Sequence, residues 1–302
     1  MNAPNPYSGL GGSSAEIPEF FGLPDDVGVS DSQVLLGVGQ DGPVAVNLDS
    51  ESPHVLVNAP TGMGKSVIAR SLAVQRLERG DLCVVLDKKM HSHRWARDLA
   101  PLVHYADSTA AIGSSWVNLG RELHRRNQVV RDWPGRPEDA PVGPRIVVVF
   151  EETNATLSEL AAMDKVVASG GYKAVDAFRD VMFMGRAVRM HVVAFAQLAS
   201  YRSGLTADIL ENFGTKVLVG ASVKAWKWLV PECGAFRSSA EVVGRGLVCR
   251  GTKATETQLA LIPEESSTER VLMSLPAQRR VRELVGGNRR AVPPAWREAI
   301  GR

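Results

Sequence analysis

Asn58-Ala59-Pro60-Thr61-Gly62-Met63-Gly64-Lys65-Ser66 is the stretch on which the reading of this 302-residue chain turns. It has the pattern of a phosphate-binding loop set between a strand and a helix. Upstream, His54-Val55-Leu56-Val57 is short, apolar and β-branched, as a buried strand should be. Downstream, Val67 to Arg79 turns Val67, Val74 and Leu77 towards one helical face, with Ile68 and Leu72 beside them, and Gly80 supplies a stop. The plain alternative is a glycine-rich turn with a chance Lys-Ser after it. Strand, loop and helix in that order argue against it.

The residue types in the loop dictate its chemistry. Gly62 and Gly64 let the backbone turn tightly and bring its N–H groups close to phosphate oxygens. The helix that starts near Gly64 adds the positive end of its dipole. Lys65 offers a point charge for the β- and γ-phosphates, and the Ser66 hydroxyl is placed to ligate Mg²⁺. The expected binding set is Ala59, Pro60, Thr61, Gly62, Met63, Gly64, Lys65 and Ser66; Ala59 stands where the strict pattern has Gly. By itself the loop specifies a nucleoside triphosphate and no more.

Hydrophobic content of 44% and charged content of 23% predict a folded core. A net charge of +2 is too small to imply a nucleic-acid partner, so any DNA site must be a local patch. The three cysteines, Cys83, Cys233 and Cys249, have no metal-type spacing and suit a reducing compartment. The apolar run Ile146 to Phe150 is strand-sized, and no run approaches a membrane span. The N-terminus lacks a basic start followed by an apolar core. A cytoplasmic location is therefore expected, with any membrane or transfer-machinery partner supplied by another chain.

Residues 1–17 read as a flexible tail. Val34 to Val38 and Val44 to Val46, split by Gln40-Asp41-Gly42, predict a hairpin. Cys83 to Asp87 is a second buried strand, and strand–helix–strand at this spacing implies a parallel sheet. Leu102 to Tyr105 is a short strand. Trp116 to Val130 is a helix with Arg121, Arg125 and Arg126 on its outer face, and a basic face of this kind is usually solvated surface. Arg145 to Phe150 is the most strand-like run, followed by helices over Ser158–Val167 and Tyr172–Val188. His191 to Ala196 and Lys216 to Val219 are further strands, and Leu247–Arg250 with Gln258–Ile262 form a closing antiparallel pair. From Val271 onward seven arginines face two acidic residues.

Phosphoryl transfer to water needs phosphate neutralisation, a held metal, a positioned water and a charge stabiliser. Such acids belong at the end of a strand beside the loop-bearing strand, and Glu151-Glu152 after the Ile146–Phe150 strand are expected to fill that place. Glu151 would hold Mg²⁺ through water and Glu152 would act as general base. Without the loop, the pair would read as a solvated strand end. Gln197 ends the next strand and is placed to sense the γ-phosphate or orient water. Lys88 and Lys89, at another strand end, have no assigned role. His91 and His93 have no acidic or cysteine neighbour in sequence and do not read as a metal site.

The order of these parts resembles the FtsK/SpoIIIE family of DNA-translocating ATPases, which includes the conjugative Tra translocases of actinobacterial plasmids. The likeness is carried by Gly39 to Val44, Pro53 to Val57 and the loop; by Val85-Leu86-Asp87-Lys88-Lys89 and Val148 to Glu152; and by Met184-Gly185-Arg186-Ala187, His191 to Gln197 and Gly244 to Leu247. It covers about residues 37–262, and Gly-Arg-Ala followed by a strand and Gln197 is more specific than the loop. The resemblance implies an α/β, RecA-like P-loop NTPase core: a mainly parallel sheet flanked by helices, with a small N-terminal β-hairpin and an antiparallel strand addition. It implies ATP as the nucleotide, a homo-hexameric ring and double-stranded DNA as partner. It also implies an ATPase domain over 18–265, followed by a helical, basic segment over 266–302. Tracking the DNA backbone needs few contacts per subunit, since six subunits multiply them. Tyr172, Lys173, Tyr201 and Arg202 are candidate pore-loop residues.

Three departures from the family pattern matter. Glu151 replaces the usual Asp. No arginine lies between Arg202 and Arg237, where a trans-acting finger is common; Lys224 and Lys227 are there, and Arg186 is the other candidate. The membrane-spanning region and winged-helix module of larger members have no counterpart in these residues. Besides the translocase, two readings stay open. One is an ATP-binding assembly module with weak hydrolysis, the other a secretion-type ATPase of the same superfamily.

Overall fold

Among the described residues of the computed structural model, 16–24, 29–167, 171–196 and 204–286, ten strands form one sheet. The hairpin β1 (Gln33–Gly39) and β2 (Gly42–Asn47) leads into β3 (Val55–Asn58), α1 (Lys65–Glu78), β4 (Leu82–Leu86), β5 (Val103–Ala106) and α2 (Thr109–Asp132). Then come β6 (Ile146–Phe150), α3 (Thr153–Asp164), α4 (Ala174–Met184), β7 (Met190–Ala196), α5 (Ala207–Glu211) and β8 (Thr215–Leu218). The described chain closes with α6 (Val223–Leu229), β9 (Arg245–Arg250), β10 (Lys253–Leu259), α7 (Glu264–Met273) and α8 (Leu275–Val285).

Across the sheet the order is β2-β1-β10-β9-β8-β3-β7-β6-β4-β5. From β8 to β5 every pairing is parallel, and from β8 to β2 every pairing is antiparallel. β3, β4, β6 and β7 are buried along their whole length. That is why they read as unbroken apolar runs: a parallel strand with helices on both sides has no wet face to alternate towards. The mainly parallel sheet, the N-terminal hairpin and the antiparallel addition all stand as expected.

Four local expectations need correction. β6, which leads into Glu151-Glu152, is not beside the loop-bearing β3; β7 lies between them. The closing hairpin turns at Gly251-Thr252, pairing Lys253 with Arg250, so β10 begins five residues earlier than the apolar run Gln258–Ile262. Its first half, Lys-Ala-Thr-Glu-Thr, carries no apolar pattern to announce it. β10 also closes on β1, where Gly37 is required: a Cβ there would stand 2.1 Å from the Gln258 carbonyl oxygen. α3 starts at Thr153, directly after Glu152, and not at Ser158. On α2, Arg126 is not on the outer face; it is fully buried and its Nε donates to Glu122 Oε1 at 2.7 Å.

The segment expected to be helical and basic from 266 contains most of α7 and all of α8. Val271, Ala277 and Leu284 are buried, and Arg270 Nε donates to Glu78 Oε1 of α1 at 2.8 Å, so α7 and α8 pack as part of the body. Of the expected tail, residues 1–15 lie outside the described residues, and the Ile17 carbonyl accepts from Arg245 at 3.0 Å. No described helix is long and apolar enough to cross a membrane.

Candidate active site

β3 lies between β7 and β8, with Asn58 paired to Ala196 and Leu218, so the loop leaves the carboxyl end of a central strand. The Met63 N–H donates to the Pro60 carbonyl at 3.3 Å and closes the turn. Gly62 and Gly64 hold φ of +82° and +83°, and nothing stands within 4 Å of where either Cβ would be. Only glycine takes this backbone without strain, and the missing side chains leave the N–H groups open to an anion. Gly64 directly precedes α1, whose first N–H groups have no carbonyl partner within the helix.

Lys65 Nζ donates to the Ala59 and Pro60 carbonyls at 3.0 and 3.1 Å. Burial lowers its pKa, the charges of Glu152 and Glu151 act in the opposite direction, and Lys89 adds to the lowering. The ammonium therefore shares one electrostatic neighbourhood with both glutamates. Ser66 sits half-buried on the first turn of α1, while Pro60, Thr61 and Met63 face solvent.

Glu151 continues β6 by one residue, its N–H donating to the Leu86 carbonyl at 3.0 Å. Its side chain is buried, with Oε1 at 2.9 Å from His93 Nε2. Glu152 then takes φ +47°, an uncommon left-handed conformation for a side-chain residue. The turn lets the Thr153 hydroxyl donate to the Phe150 carbonyl at 2.7 Å and start α3 at once. Lys89 Nζ donates to Glu152 Oε1. The loop bearing Lys89 and His93 is shaped by Asp87, which accepts from the N–H groups of Lys89 and Ser92 at 3.1 and 3.0 Å and from the Tyr105 hydroxyl at 2.8 Å.

The structure thus brings Lys65, Ser66, Glu151 and Glu152 to one end of the sheet. Gln197 lies outside the described residues; Ala196, which precedes it, accepts from Asn58 Nδ2 at 3.1 Å. Arg186 is not part of this group. It is exposed in a 3-10 turn before the amino end of β7, and the seven residues of that strand put it roughly 20 Å from the loop. The glycine beside it has a packing reason: a Cβ on Gly185 would meet the carbonyl oxygens of Val181 and Met190, both at 2.5 Å. Lys224 and Lys227 are exposed on α6, which follows the carboxyl end of β8. There the Val219 N–H donates to the Asn58 carbonyl, and Gly220 packs beside Met63.

Of the pore-loop candidates, Tyr172 donates its hydroxyl to Asp180 at 2.6 Å and seats its ring on Gly120, so it is a packing residue here. Tyr201 and Arg202 lie outside the described residues. Lys88 pairs with Glu159. His93 is the residue that sequence spacing missed: it stands 58 positions from its partner Glu151, and no local pattern links them. Beside the loop, towards β9 and β10, lies a cavity of about 790 Å³ lined by Phe20, Met63, Val67, Gly220, Val243 and Leu261 among others.

No family model matches the chain, and no curated protein matches it in sequence. Its fold is similar to that of several solved proteins. The conjugation coupling protein TcpA of pCW3, in monomer form with ATPγS, superposes with a TM-score of 0.71 at 20% identity, covering 86% of this chain and 75% of that one. The cytoplasmic domain of the Thermomonospora curvata type VII secretion ATPase EccC gives 0.61 at 17% identity, covering 80% of this chain and 31% of that one. VirB4 of Thermoanaerobacter pseudethanolicus gives 0.50 at 13% identity, covering 79% and 99%. The chain has the α/β, RecA-like P-loop ATPase fold.

Proposed function

We propose that the chain is an ATP-hydrolysing translocase of double-stranded DNA that works as a homo-hexameric ring in DNA transfer or segregation. The observation that carries this reading is the convergence of Lys65 and Ser66 with Glu151 and Glu152, on a fold shared over 86% of the chain with a conjugation coupling protein solved with ATPγS. In this reading the protein is cytoplasmic, and another chain supplies the membrane or transfer-machinery contact.

The N–H groups around Gly62 and Gly64 and the start of α1 receive the phosphates, and Lys65 exchanges its two carbonyl partners for phosphate oxygens. The nucleoside part fits the cavity beside the loop. The donors offered to a metal, the Ser66 hydroxyl and the Glu151 carboxylate, are all oxygen and suit Mg²⁺, which when bound would neutralise charge developing on the phosphate. Glu152, released from Lys89, takes the proton of the attacking water. Gln197 orients that water. Either Arg186 or one of Lys224 and Lys227 supplies the charge to a nucleotide held by a neighbouring copy. A lysine clamps a phosphate less rigidly than an arginine, so slow basal turnover is expected.

The likeness to EccC supports a second reading, a secretion ATPase, although this chain spans 31% of that one. Duplex-DNA-stimulated ATP hydrolysis, measured together with particle size in the presence of nucleotide, separates the readings. A ring whose turnover rises with duplex DNA is expected. Assembly with nucleotide but no response to DNA would overturn the translocase.

A further inference from the structure

Glu151 is 3% exposed, and a carboxylate that deep needs a donor. The donor is on the loop after β4: His93, 0% exposed, with Nε2 at 2.9 Å from Glu151 Oε1. The direction of that bond is fixed by a third residue. Trp95 Nε1 can only donate, and it lies 3.4 Å from His93 Nδ1. Nδ1 is therefore the acceptor, and the proton sits on Nε2, pointing at Glu151. Trp95 is itself buried edge-on to the imidazole, and its carbonyl accepts from Thr268 of α7 at 3.2 Å. The chain is held on both sides of the imidazole, by Trp95 after it and by the Ser92 N–H, anchored on Asp87, before it.

From this geometry we propose that His93 is the positioning residue for the metal-side carboxylate, and that the His93 bond is what makes a glutamate the fitting residue at position 151. The proposal rests on the reading of Glu151 as the Mg²⁺-side acid. His93 engages Oε1 and so fixes the rotation of the carboxylate, leaving Oε2 for the water shell of the metal. The requirement for length follows. An aspartate would draw the carboxylate back by one carbon–carbon bond, about 1.5 Å, which stretches the 2.9 Å contact beyond hydrogen-bond range. The imidazole N–H would then be buried without an acceptor. Substitution towards the residue usual in the related motors should thus impair this chain.

The test is binding of the non-hydrolysed analogue AMP-PNP to the full chain by calorimetry, with Mg²⁺ titrated and with EDTA as reference. His93→Ala is expected to raise the Mg²⁺ concentration for half-maximal enhancement by about 10–100-fold, leaving binding in EDTA unchanged. His93→Gln, whose amide nitrogen reaches where Nε2 does, should restore most of the Mg²⁺ response. Glu151→Asp should show a shift like that of His93→Ala, and combining the two should add little, because the shared bond is already lost. If Glu151→Gln leaves the Mg²⁺ response unchanged, the site reading itself falls. If Glu151→Gln shifts it but His93→Ala only lowers thermal stability, His93 is a packing residue and the proposal alone is overturned. A wild-type Mg²⁺ response in Glu151→Asp overturns it equally.

Discussion

Neutralising Glu122 should destabilise the fold more than removing Arg126, although the two face each other in one buried ion pair on α2. The asymmetry comes from the third member. Glu122 accepts from Arg126 Nε at 2.7 Å and also from Arg125 Nε and Nη2, each at 2.7 Å. In Arg126→Met the carboxylate keeps both Arg125 bonds, and the Arg126 Nη2, which has no hydrogen-bond partner, disappears with the side chain. What is lost is one charged bond and the donor to the Val188 carbonyl, so the expected cost is about 1–2 kcal/mol. In Glu122→Gln a fully buried guanidinium faces a neutral amide, and the cost should be about 3–5 kcal/mol.

Urea unfolding of the two variants, compared at constant slope, measures the difference. Equal costs, or a larger cost for Arg126→Met, would refute the reasoning. Acid supplies a second check. Burial pushes the Glu122 carboxyl up, but Arg125 and Arg126 outweigh it and hold it below its usual 4.5. A carboxyl depressed in the folded state contributes stability above its unfolded pKa and loses it as pH falls through the folded value. The gap between wild type and Glu122→Gln should therefore be full at neutral pH and shrink in acid.

Lys65→Ala should abolish ATP binding in calorimetry, since it removes the only loop cation; tight binding by that variant would contradict the site. Glu152→Gln should bind ATP yet lose at least about 100-fold in steady-state turnover, the low end of what a general base contributes. Undiminished hydrolysis would remove Glu152 from that role. Gly185→Ala should lower stability by about 1–3 kcal/mol without changing nucleotide affinity, because its methyl meets two backbone carbonyls far from the loop; thermal unfolding beside a binding isotherm checks both halves.

Much of the fold was legible because a parallel sheet announces itself. β3, β4, β6 and β7 are dry on both faces, so each is an unbroken apolar word in the sequence. β10 was half-hidden because it is half-wet, and Lys253, Thr255, Glu256 and Thr257 carry polar side chains that its pairing with β9 and β1 does not exclude. Arg126 misled because helical spacing reports which residues share a face, not whether a carboxylate four positions earlier will take the charge inside. The loop and Glu151-Glu152 were readable from residue type and place. His93 was not, because its meaning lies in a contact across 58 residues that only the return of β6 beside β4 creates.

The strand order also acts as a gauge. β7 separates the loop-bearing β3 from the acid-bearing β6, and neighbouring strands sit about 4.8 Å apart. Two such steps open a gap of about 10 Å between the backbone of the loop and the backbone that carries Glu151 and Glu152. Adjacent strands would halve that gap. In the proposed site, the spacing between loop and acids is thus set by counting strands. Side chains such as Glu151 and Glu152 only trim the last ångström or two.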